Sequence, residues 1–78
     1  MLDLKEVLYG VARAIVDNPD DVVITMAENE DTVTLTLNVA ESDMGLVIGR
    51  HGRIAKAIRT VMKAAAGTVN KKVNVEIR

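Results

Sequence analysis

The sequence contains no cysteine, no tryptophan and no phenylalanine, and it has one proline. Without cysteine there can be neither disulfides nor thiolate metal sites, which fits a reducing cytoplasm. Tyr9 is the only aromatic residue, so any core must be aliphatic. His51 is the only histidine and Ser42 the only serine. Their spacing offers no Ser-His-acid triad, and a single histidine gives no metal-ligand cluster. The carboxylates are numerous but scattered. No cofactor-binding fingerprint is present, and the chain is read as a non-enzyme. No apolar run approaches the ~18 residues that suggest a membrane span. The N-terminus lacks the basic start and apolar stretch of a signal peptide.

What is present is a short aliphatic chain with a hidden polarity. Its 78 residues make one domain spanning 1–78, and 49% of them are apolar. A chain this short buries only about 60–65% of its unfolded surface, so dense packing or a partner must supply stability. The net charge of −1 conceals two halves. Residues 1–48 carry two basic side chains (Lys5, Arg13) and ten acidic ones, a net −8. Residues 49–78 carry eight basic side chains and one acidic (Glu76), a net +7. The plainest reading of such polarity is charge complementarity within the fold; the other is an anionic partner for the basic half.

Apolar periodicity orders the elements. Leu4, Val7, Leu8, Val11, Ala12 and Ile15 recur at helical spacing over residues 3–17, with Asp3 and Glu6 as a capping pair and Asn18-Pro19 as the stop. Residues 21–28 read as a strand with Val22, Ile24 and Met26 on one face. Residues 32–39 alternate cleanly, Val33, Leu35, Leu37 and Val39 against threonines and Asn38. The polar link Glu28 to Asp31 makes these two an antiparallel hairpin. Ser42 is a suitable N-cap for a short helix over 43–48. A further helix runs from Arg53 to Ala66, with Ile54, Ile58, Val61, Met62 and Ala65 inward and Arg53, Lys56, Arg59 and Lys63 on roughly the opposite face. Gly67 is placed to close it, and residues 70–77 form a last strand with Val73, Val75 and Ile77 inward. The order helix-strand-strand-helix-helix-strand, with a right-handed crossover, predicts a two-layer α+β fold. Its three-stranded mixed sheet has 32–39 in the centre and three helices on one face.

Between the last two helices lies Gly45-Leu46-Val47-Ile48-Gly49-Arg50-His51-Gly52-Arg53-Ile54. Glycines at 49 and 52 permit positive φ and a sharp turn. They leave the N–H groups and positive dipole end of the next helix open. Arg50 and Arg53 add full charges and His51 a donor, so the segment forms an anion cradle with no catalytic group. It departs from the P-loop, which needs Lys-Ser/Thr after its second glycine, and from the dinucleotide fingerprint G-x-G-x-x-G. Taken alone, G-x-x-G is also a plain chain break between helices.

In its frame, Val47-Ile48-Gly49-Arg50-His51-Gly52-Arg53-Ile54, with Gly45 before and Ile58 after, resembles the core motif of KH domains. Their G-x-x-G loop clamps the backbone of a four-nucleotide single-stranded segment. The element order resembles the type II, bacterial arrangement, and a stand-alone domain of this size is similar to the KhpA family of small RNA-binding proteins. The resemblance implies an RNA-binding, cytoplasmic protein acting as a post-transcriptional regulator or RNA chaperone, linked to cell elongation and division. It also implies pairing with itself, with a larger KH-containing partner (KhpB), or with both. By the same resemblance Gly49 and Gly52 shape the loop, Arg50 and His51 are its variable pair, and Gly45, Leu46 and Ile48 line or support a groove. Arg53 and Lys56 reach the RNA backbone, while Ile54 and Ile58 are core residues.

Arg59 and Lys63 are either groove cations or a solvated face, and Lys71 and Lys72 either flank the groove or protect a strand edge. The strand over 70–77 is taken as the far wall of the groove. The lack of aromatics excludes base stacking of the kind RRM sheets use, and it implies modest affinity for an isolated domain. The runner-up reading is a protein–protein module in which the acidic and basic halves meet across an interface.

Overall fold

The computed structural model describes residues 3–78. Helix α1 (Leu4–Ile15) leads into a 3₁₀ turn at Pro19–Asp21 and the hairpin of β1 (Val23–Glu28) and β2 (Thr32–Asn38). A 3₁₀ turn at Glu41–Asp43, helix α2 (Met44–Ile48), the turn Arg50–Gly52 and helix α3 (Arg53–Gly67) follow, and β3 (Lys72–Ile77) ends the chain. The sheet order is β1-β2-β3. β1 pairs antiparallel with β2, Ile24 opposite Leu37, and β3 pairs parallel with β2, Val75 opposite Leu35. The expected mixed sheet with a central 32–39 strand is therefore present.

The core lies between the sheet and the helices. Alternation in β2 turns Val33, Leu35 and Leu37 inward, all essentially fully buried. They meet Leu4, Leu8 and Ala12 of α1, Val47 of α2, and Ile58 and Met62 of α3 in one cluster. Truncating any of the large ones to alanine costs about 2–5 kcal/mol. Asp3 caps α1 as expected, its carboxylate accepting from the N–H groups of Lys5 (3.0 Å) and Glu6 (3.4 Å).

Several details differ from the sequence reading. The buried stripe of α3 is Ala55, Ile58, Met62 and Ala66, whereas Val61 is 47% exposed and Ile54 is 37% exposed. The stripe is offset from the expected one: Ala55 and Ala66 are buried at its two ends with Ile58 and Met62 between them, while Ile54 and Val61 lie at its margin. Met26 is likewise exposed, on the edge strand β1, where it lines an open cavity with Leu4 and Val69. Ser42 caps nothing: α2 starts at Met44 with no side-chain cap. Gly67 does not close α3. Instead Asn70 takes the left-handed conformation (φ 58). The Lys71 N–H then bonds the Ala66 carbonyl at 3.0 Å and the Asn70 N–H the Gly67 carbonyl at 3.3 Å. These are the two bonds of a Schellman closure, with asparagine in glycine's usual place.

Asp43 carries no motif in the linear sequence, yet it is the one buried charged side chain among the described residues. Its carboxylate accepts from the backbone N–H of Asn18 (3.0 Å) and of Asp17 (3.4 Å), and from Asn18 Nδ2 (3.2 Å). It thereby fastens the start of α2 to the chain leaving α1. The signal available was an acid directly before a short helix, paired with an asparagine whose N–H is freed at a helix end before proline.

Candidate nucleic-acid interface

The turn between α2 and α3 rests on three unusual backbone conformations. Gly49 ends α2, its N–H donating to the Gly45 carbonyl at 2.9 Å. Its φ of 76° and ψ of 174° fall in a region essentially reserved for glycine. A Cβ at residue 49 would overlap Ile54 Cγ1 and lie 2.9 Å from the Ile54 Cβ and backbone nitrogen. This is why Ile54 is not a core residue: its side chain covers Gly49, occupying the space a side chain there would need. His51 (φ 57, ψ 25) and Gly52 (φ 73, ψ 15) are both left-handed. The Gly52 N–H closes on the Gly49 carbonyl at 3.2 Å, and the Arg53 N–H on the Arg50 carbonyl. Arg50 and His51 stand exposed at the tip.

The amino end of α3 is electrostatically inverted. Gly52 at its N-cap has no side chain to offer, no acid lies in the first turn, and the whole 15-residue helix contains none. Arg53 and Lys56 sit there instead, both exposed. Cations at the positive end of a helix dipole cost about 0.3–1 kcal/mol each, a cost an anion bound there removes. Arg50, His51, Arg53 and Lys56 form no ion pair among the described residues. Among the described residues, the single pair joining the acidic and basic halves is Lys71 with Glu28, at 3.8 Å. Close ion pairing among the described residues therefore does not account for the polarity of the chain.

Exposed aliphatic side chains neighbour these charges along the chain. Leu46 is 41% exposed, Ile48 39% and Ile54 37%. Gly45 is exposed with open space around its Cβ position; its contribution is the carbonyl that Gly49 uses. The structure thus gathers Gly45, Leu46, Ile48, Gly49, Arg50, His51, Gly52, Arg53 and Lys56 around one turn, with cations at the tip and helix start and apolar side chains beside them.

The remaining lysines and arginines separate. Lys71 Nζ donates to the Glu30 carbonyl at 2.9 Å, holding the β1–β2 turn rather than flanking a groove. Arg59 Nε donates to the Val75 carbonyl at 3.2 Å. With Lys63 it lines a cavity of about 420 Å³ along β3. That bond spans α3 and β3, and nothing in the linear pattern of charges indicated it.

Residues 5–77 match the family model described as KhpA/KhpB, KH domain. The RNA-binding protein KhpA of Clostridium acetobutylicum is 53% identical over 74 residues, 95% of this chain and 99% of the relative. That of Listeria monocytogenes is 45% identical over 95% and 97%, and that of Aquifex aeolicus 42% over 99% and 98%. Among solved structures, Era in complex with MgGDPNP and nucleotides 1506–1542 of 16S ribosomal RNA superposes with a TM-score of 0.73. It does so at 15% identity, over 95% of this chain and 28% of that one. At that identity the likeness is one of fold, the type II KH arrangement.

Proposed function

This chain belongs to the KhpA/KhpB family of KH domains, and on that premise we propose that it binds single-stranded RNA. The Gly49–Gly52 turn grips the backbone and the aliphatic surface beside it receives the bases. The observation that carries the reading is the inverted helix start: a glycine-shaped turn, uncapped and acid-free, holding four basic side chains that form no ion pair among the described residues. A phosphate is the complement of that arrangement, and exposed aliphatic side chains next to it suit unstacked bases better than a duplex. Relatives in Clostridium and Listeria carry the name RNA-binding protein, which supports the same reading. Fluorescence anisotropy with one labelled oligonucleotide, single-stranded and then annealed to its complement, tests it. Preferential binding of the single strand is expected; equal or tighter binding of the duplex would overturn it.

The same reading makes the protein a cytoplasmic post-transcriptional regulator or RNA chaperone without catalytic activity, acting in cell elongation and division. Assembly, with a second copy or with a larger KH-containing protein of the KhpB kind, is favoured by Val61, 47% exposed on α3. Two coupled domains gain affinity by raising effective concentration. Sedimentation equilibrium of the wild type and Val61→Lys checks this: a concentration-dependent dimer lost in the variant is expected, and a strict monomer contradicts it.

A further inference from the structure

We infer that Arg59 reads a base at the free edge of β3 and makes that position select guanine over adenine; the inference rests on the RNA-binding reading above. The edge itself follows from the hydrogen-bond ladder. The Lys72 N–H bonds the Asp31 carbonyl and the Arg78 N–H the Leu37 carbonyl, both at 2.8 Å. Even-numbered residues of β3 therefore turn their backbone groups toward β2. Parallel strands alternate, so Val73, Val75 and Ile77 turn theirs outward, as unpaired donors and acceptors of an edge strand. This edge runs beside α3, and Arg59 lies about 9 Å along the helix from Arg53. A strand gripped at the glycine turn can thus pass along it.

An edge residue with both groups free offers one donor and one acceptor. Adenine matches that pattern, because its N6 amino donor sits beside a ring acceptor. Val75 offers it only in part: one lone pair of its carbonyl already accepts from Arg59 Nε at 3.2 Å, and the guanidinium crowds the other. An arginine has five N–H donors, so four remain on a guanidinium whose position is fixed by the first. Arg59 has no carboxylate partner among the described residues, and Glu76, on the same cavity, is paired with Arg78 at 3.1 Å. The edge beside Val75 therefore presents the Val75 N–H and four guanidinium donors against the one lone pair left on the Val75 carbonyl. Guanine's O6 and N7, two adjacent acceptors, fit this donor-rich edge better than adenine, whose N7 finds a donor but whose amino group must share the Val75 carbonyl with Arg59. Glu76 on the rim also makes the cavity less suited to a phosphate than the glycine turn is.

The test is anisotropy binding of short single-stranded RNAs carrying one guanine or one adenine, stepped through a uridine background. The proteins are the wild type, Arg59→Met and Arg59→Lys, each checked by circular dichroism. In the wild type, guanine at one position is expected to bind about 10-fold tighter than adenine, within the range of a bidentate base contact. Arg59→Met frees the Val75 carbonyl and should abolish or reverse that preference. Arg59→Lys keeps the charge without the planar fork and should retain most of the affinity while losing the discrimination. If both variants weaken guanine and adenine RNAs equally, Arg59 is a phosphate contact and the inference is wrong. If the preference survives Arg59→Met, it is equally wrong. In either case the RNA-binding reading stands; a wild type that binds none of the RNAs overturns both.

Discussion

Helices α1 and α3 begin in opposite ways. α1 opens with Asp3, whose carboxylate takes two backbone N–H groups, and with Glu6 in its first turn. Its amino end is capped from within the chain, and Asp3 and Glu6 outweigh Lys5 in favour of the helix dipole. α3 opens with a glycine that caps nothing, no acid, and Arg53 and Lys56 against the dipole. A sequence selected for stability alone would treat both ends alike. On the proposed function, the start of α1 is a structural device and the start of α3 is held ready for something negative from outside.

The contrast extends to the glycines at the α3 end, and here the largest stability effect is expected. Gly49→Ala forces a side chain into a glycine-only conformation and into Ile54, at a cost of about 2–4 kcal/mol. Gly52→Ala meets open space and bears only the left-handed penalty of about 1–2 kcal/mol. Urea titration of the two variants should rank them in that order; equal losses would mean that the contact between Gly49 and Ile54 does not fix the turn. Next in size, Asp3→Ala should cost about 1 kcal/mol in the same assay and leave RNA affinity unchanged, since that cap serves only α1. The smallest effect is the sharpest test of the comparison. Arg53→Glu gives α3 the kind of first turn α1 has, and should raise stability by about 0.3–1 kcal/mol while lowering RNA affinity. A loss of both would show that Arg53 is held for the fold.

Much of this architecture was legible in the sequence because its signals are local and periodic. The alternation of Val33, Leu35 and Leu37 with threonines defines β2, and the spacing from Leu4 to Ile15 defines α1. Proline after Asn18 ends that helix region. Gly49 and Gly52 mark the turn, and the absence of acids after Glu41 and Asp43 until Glu76 marks the basic region. The misplaced details are tertiary. Alanines 55 and 66 share the buried stripe with Ile58 and Met62, while Ile54 and Val61 lie at its margin; a hydropathy pattern weighs alanine lightly and does not choose between those registers. Asn70 replaces Gly67 as the left-handed closure because asparagine tolerates that conformation. Asp43 and Arg59 act on backbone groups 16 to 26 residues away, and no spacing rule connects them.

The central claim is that the Gly49–Gly52 turn and the α3 start are a phosphate clamp whose cations serve a ligand rather than the fold. Arg50→Asp with His51→Asp tests it most directly, because aspartate tolerates the left-handed conformation at residue 51 and the double variant should remain folded. Its affinity for single-stranded RNA should fall at least 10-fold at moderate salt. The slope of log K against log salt should shrink by about 0.7 for each phosphate no longer neutralised, with the circular dichroism spectrum unchanged. A folded double variant that binds RNA with wild-type affinity and wild-type salt dependence would contradict the account.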